Sequence, residues 1–151
     1  MNGNREIKKC FPMYMKSIRL PTCAKEQTIC VYRACRTHKI ERASFLTTFE
    51  ENGFSITPGG DPSNPQEYGL STYTKPNDLK RFVSCTSKYN PPWILAKGVT
   101  APSCGVSCRT RDWKKTKNSH VDWWLYKEAE PWLHFQEVNY EDERENAISN
   151  R

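Results

Sequence analysis

Four short runs constrain this chain more than any other feature: Val31-Tyr32-Arg33-Ala34, Gly69-Leu70-Ser71-Thr72-Tyr73-Thr74, Ile94-Leu95-Ala96-Lys97-Gly98 and His120-Val121-Asp122-Trp123-Trp124. Each is apolar and strand-like, and each carries one or two polar groups able to bind or react. Loops rich in proline and glycine separate them, without the regular strand-helix alternation of a doubly wound nucleotide fold. The 151 residues suffice for one domain with a real core. Only 36% of residues are hydrophobic, but 12% are aromatic and five are Trp, so large side chains are expected to fill that core.

Around these runs the pattern predicts a first strand from Thr28 to Cys35 and a short amphipathic helix capped by Ser44, with Phe45, Leu46 and Phe49 on one face and Gly53 as its stop. Residues 55–67 read as a loop through Pro58, Gly59, Gly60, Asp61, Pro62 and Pro65. Leu70 to Thr74 reads as a strand, and Pro76, Asn77 and Asp78 open a helix with Leu79, Phe82 and Val83 on one side. Trp93 to Ala96, Val121 to Tyr126 and Leu133 to Val138 complete the strands, with a basic connection from Arg109 to Asn118. The fold expected is a single α+β domain of split, mainly antiparallel sheets with two or three short helices. Residues 1–27 form an N-terminal arm, 28–138 the domain, and 139–151 a charged, frayed tail.

The net charge of +6 suits an anionic cofactor, nucleic acid or an acidic partner. No apolar run is long enough to span a bilayer, and the N-terminus lacks the pattern of a signal peptide or a myristoylation site, so a cytoplasmic protein with no membrane partner is expected. Seven cysteines without a Cys-x-x-Cys pair predict reduced thiols, with neither a disulfide network nor a metal site. The alternative, a zinc site from Cys104-x3-Cys108 with His120 or Cys85, lacks a second close pair.

The order of the four runs resembles the ADP-ribosyltransferase-like domains of small bacterial toxins and effectors. The resemblance lies in Tyr32-Arg33 on the first strand, Gly69-Leu70-Ser71 with Tyr73 before a helix, Lys97-Gly98 ending an apolar strand, and His120 with Trp123 near the end. It spans roughly residues 28–138. It implies NAD as cofactor, transfer of ADP-ribose to a protein or nucleic-acid acceptor, and a neutralising antitoxin or immunity protein as a possible partner.

The chemistry of such a site is clear in outline. Breaking the bond between nicotinamide and ribose develops positive charge on the ribose, while the pyrophosphate needs cationic or amide donors. Arg33 offers a planar fork to phosphate or ribose oxygens. Gly69 permits close approach of a ligand to the backbone, ahead of Ser71 and Thr72. The resemblance gives Ser71, Thr72 and Tyr73 to the NAD cleft along with Tyr32. Alternation along a strand puts His120, Asp122 and Trp124 on one face, where His120 would bind ribose hydroxyls and Trp124 stack on a ring. Glu128, Glu130 and Glu137 compete for the catalytic carboxylate, and Glu130 is taken. Arg33, Ser71, His120 and Glu130 are thus the expected catalytic set. Arg33, Ser71 and His120 are expected to converge on one cleft, with Arg33→Ala abolishing NAD binding while leaving the fold largely intact. Arg109, Arg111, Trp113, Lys114, Lys115 and Lys117 are expected to serve the acceptor. In the alternative reading, a basic nucleic-acid-binding module without enzymatic activity, these cations contact phosphates while Trp113 stacks on a base.

Overall fold

Residues 9–79 and 93–149 are described by a computed structural model of the chain, with side chains described as far as residue 145. Six strands, β1 (Cys30–Cys35), β2 (Leu70–Tyr73), β3 (Ile94–Val99), β4 (Gly105–Arg109), β5 (His120–Leu125) and β6 (Phe135–Val138), form one antiparallel sheet in the order β4-β5-β2-β1-β3-β6. Two α-helices accompany them, α1 (Thr48–Glu51) and α2 (Tyr140–Ser149), and a further helical turn opens at residues 76–79. The α+β class agrees with expectation, but the split sheets are joined into one.

The join is narrow. Between β1 and β2 the ladder consists of the single pair Tyr32↔Tyr73, whereas β1 and β3 pair from Cys30↔Val99 to Cys35↔Ile94. Arg33 fills the gap: its Nη1 donates to the Ser71 carbonyl of β2 at 2.8 Å. A side chain here supplies a bond between the two three-stranded halves where the backbone ladder has stopped.

Register divides the sheet into two faces, because residues directly opposite each other in antiparallel strands point the same way. Tyr32, Tyr73 and His120 stand in one row. Their face also carries Trp124 and Cys108, which pack with Met15 and Tyr68, and Tyr32 and Tyr73 pack with Leu79 and Leu95. On the other face Cys35, Leu70, Ala96 and Trp123 pack with Phe45, Ala101 and Cys104, and Val31 and Val121 with Ile29. Trp123 and Trp124 are both fully buried, on opposite faces, so each half of the core is built around one indole.

The elements depart from expectation in several places. The first helix begins at Thr48 rather than after Ser44, because Thr47 and Glu50 form a capping box that fixes the start there; Ser44 ends a 3₁₀ turn, Arg42–Ser44. Gly53 follows with positive φ, as its role as a stop requires. Strand β4 was not anticipated. The expected strand from Leu133 is a 3₁₀ turn, Pro131–His134, as far as His134, before β6. Phe82, Val83 and Cys85 lie outside the described residues. The described part of the arm, from residue 9, docks on the domain: Phe11, Tyr14 and Met15 join the Trp124 cluster or its neighbours, and Lys25 exchanges backbone hydrogen bonds with Ser107 on the outer edge of β4.

The charged tail, expected to fray, forms α2. Among its described side chains Tyr140 packs against the Tyr32–Leu95 cluster, and polar contacts add to this. Glu143 accepts from the Tyr32 hydroxyl at 2.5 Å and pairs with Lys97 at 2.9 Å. The Tyr32 hydroxyl, and after it the Lys97 ammonium, lower the Glu143 pKa below its ordinary value near 4.5. A carboxyl with a lowered folded pKa stabilises the fold above its unfolded pKa and ceases to do so as pH falls through the folded value. Wild type is therefore expected to lose stability below about pH 4.5 more steeply than Glu143→Gln, as read from urea midpoints across an acid series; parallel pH profiles would refute the anchoring role.

Candidate functional site

Beside the seam lies a cavity of about 80 Å³ lined by Arg33, Arg36, Ser44, Glu51, Gly69 and Ser71, among others. Its wall is built by two loops and two strands. After β1 the chain turns back through the 3₁₀ turn at Arg42–Ser44, so that the carbonyls of Ser44 and Leu46 face the Arg33 guanidinium. Nε donates to Ser44 at 2.8 Å, Nη1 to Ser71 at 2.8 Å and Nη2 to Leu46 at 3.4 Å, with the guanidinium 5.5 Å from the Phe45 ring centre. Gly69 enters β2 against the Trp124 indole: a Cβ there would stand 3.0 Å from Trp124 Nε1, so a side chain is admitted only if the indole gives way.

The electrostatics of this wall favour an anion. Burial lowers the Arg33 pKa, and the Glu51 carboxylate opposes the shift without forming an ion pair. Three neutral carbonyls thus hold a cation that has lost much of its water. A negatively charged ligand at the cavity mouth would compensate it.

The expected residues sort into three places. Arg33, Gly69 and Ser71 line the seam cavity together. His120 does not join them; it lines a second pocket with Arg109, Arg111 and Lys117. Side-chain alternation explains the separation, since Tyr32 shares a row with Tyr73 and His120, and Arg33, next along β1, therefore leaves the sheet on the opposite face. Tyr32, Thr72, Tyr73 and Trp124 are core residues: Thr72 donates to the Val121 carbonyl, and the Trp124 indole donates to the Pro65 carbonyl at 2.8 Å. Trp124 therefore has no free ring face for a ligand. Glu130 directly precedes the 3₁₀ turn at Pro131–His134, without a side-chain capping bond, and lines neither cavity.

His120 belongs to a polar network. Its Nδ1 stands 2.5 Å from Thr110 Oγ1, which donates to Asp122 at 2.7 Å; Trp113 Nε1 and Gln66 Nε2 donate to the same carboxylate, each at 3.0 Å. Trp113 is thereby fixed and packs near Trp124. Lys114 donates to Gln66, while Lys115 is exposed. Burial lowers the His120 pKa against the attraction of Asp122, which favours the neutral imidazole.

Sequence reading missed Glu51 and Lys75 as cavity residues. The only available signal for Glu51 was the Thr47-x-x-Glu50 capping spacing, which sets the end of α1. Cys104 and Cys108 enter different core clusters, and among the described residues no group of three His, Cys, Asp or Glu is placed to hold a metal ion. No described helix is long and apolar enough to cross a membrane. Compared with known proteins, the chain matches no family model, no curated protein and no solved structure.

Proposed function

We propose that the domain is an ADP-ribosyltransferase-like enzyme that takes NAD at the seam between β1 and β2. The observation that carries this reading is the meeting of Arg33 and Ser71, 38 residues apart, with Gly69 at one cavity where the sheet's ladder narrows to a single pair. Guanidinium chemistry suits Arg33 to the cofactor, and the resemblance implies the same role for Ser71.

The residues present fit the group. Arg33, short of counter-charge, suits the pyrophosphate; Gly69, its side-chain space taken up by the Trp124 indole, and Ser71 form the β2 wall of the cavity; and Glu51 supplies the carboxylate that Glu130 is too displaced to supply. The cavity accommodates one part of a dinucleotide, so the remainder would extend over the surface at its mouth. NAD supplies the reactive bond between nicotinamide nitrogen and ribose C1. That bond breaks with its electron pair leaving on neutral nicotinamide, and an acceptor heteroatom bonds to C1 and gives up its proton. Glu51 would hold a ribose hydroxyl and favour the positive charge that develops beside it.

The test is calorimetry with NAD together with nicotinamide release in a cell extract. Wild type is expected to bind NAD and release nicotinamide. Glu51→Gln, an exposed position, is expected to keep its fold and bind NAD within a few-fold while losing release by about a hundredfold, the scale of removing one transition-state contact. Absence of NAD binding by folded wild type would overturn the reading.

A further inference from the structure

At the base of the connection between β4 and β5 lies a pocket of about 190 Å³, several times the roughly 30 Å³ share of a water molecule. Four cations line it, Lys75, Arg109, Arg111 and Lys117, beside Ser119 and His120. Among the described residues none of these four side chains is in an ion pair, in contrast to Lys9, Lys97 and Arg144 elsewhere on the molecule. Four like charges around one hollow repel each other, and an anion inside it would turn that repulsion into attraction.

The walls are laced together. Backbone N–H groups of Thr74 and Lys75 donate to the Ser119 carbonyl and hydroxyl, at 3.2 and 3.0 Å. The nearby Asp78 carboxylate accepts from the Ser119 N–H at 2.9 Å, and Asn118 Oδ1 accepts from the His120 N–H at 3.1 Å. The segment after β2 and the segment before β5 are therefore fixed against each other with the cations around them. Thr110 engages His120 Nδ1, leaving Nε2 as the remaining polar atom of the ring.

We propose that this pocket binds a phosphate group carried by a nucleotide or by a nucleic-acid strand. Two guanidinium forks and two ammonium groups match the tetrahedral oxygens and multiple charge of phosphate better than the single charge of a carboxylate. Trp113 is tied to Asp122, so recognition rests on phosphate and not on base stacking. The site stands independently of NAD at the seam.

The test titrates the full chain with adenosine 5′-monophosphate and with a 5′-hydroxyl single-stranded decanucleotide, using wild type and the double variant Arg111→Glu/Lys117→Glu. Both positions are exposed, and circular dichroism checks that the fold is kept. At least tenfold weaker binding by the double variant is expected, with a shallower salt dependence for the strand by about 0.7 in slope per lost phosphate contact. Binding of the mononucleotide alone supports a nucleotide site, and binding of the strand alone supports a nucleic-acid site. Binding of neither, equal binding by both proteins, or equally strong competition by poly-glutamate overturns the proposal. Glu51→Gln should leave these titrations unchanged, which separates this result from the fate of the seam reading.

Discussion

Arg33→Ala is expected to destabilise the fold by roughly 3 kcal/mol or more, which reverses the expectation from sequence that it would act on ligand binding alone. The substitution takes donors from the carbonyls of Ser44, Leu46 and Ser71 at once. A buried polar group left unsatisfied costs about 1–3 kcal/mol, and partial access of water at the cavity keeps the sum below three full penalties. Arg33→Lys should recover less than half of the loss, because one ammonium cannot span carbonyls on β2 and on the 42–46 turn. Urea denaturation with an unchanged m-value is the measurement. A loss below about 1 kcal/mol for Arg33→Ala would show that the seam does not depend on this side chain.

The second large effect belongs to Asp122, which is almost fully buried and accepts from Gln66, Thr110 and Trp113. Asp122→Ala leaves three donors facing a small void and is expected to cost about 3 kcal/mol, since hydrogen bonds to a charged acceptor are among the stronger ones. Asp122→Asn should fall between wild type and alanine: it keeps one carbonyl acceptor but turns an amide N–H toward a donor. Thermal unfolding gives the stability, and near-ultraviolet circular dichroism should report the release of Trp113 in both variants. An unaltered Trp signal in Asp122→Ala would disprove the network's hold on the β4–β5 connection.

These two residues also show how far the sequence could be read. The strands bearing Arg33 and Asp122 were legible because β-branched and aromatic residues cluster there, and Gly69 before Ser71 pointed to a place of close approach. The direction of each side chain was not legible. It depends on register between strands distant in sequence, and a shift of one residue along β1 moves Arg33 from the row of His120 to the opposite face. Strand β4, Gly105-Val106-Ser107-Cys108-Arg109, has a single β-branched residue, and its place comes from pairing with β5. Helix α2 has only a weak apolar pattern; among its described side chains Tyr140 packs near Tyr32 and Leu95, and Glu143 bonds to Tyr32 and Lys97 on two other strands. Glu51 and the basic pocket depend likewise on loops brought together by the fold.

The narrow seam also bears on how the chain assembles. β1 and β2 occupy the middle of the sheet, and later strands are laid outside them: β3 and β6 beyond β1, β5 and β4 beyond β2. Among the described strands β4 and β5 alone pair across a short connection, so most pairing must wait for segments far apart along the chain to meet, and such non-local closure slows folding. A ribosome emitting this chain releases the two middle strands first, joined by one backbone pair, with their outer partners still to come. The two halves of the ladder meet at the single pair Tyr32↔Tyr73 and at the Arg33 bond to Ser71, so the cavity beside that bond should be among the first features to open when the domain breathes.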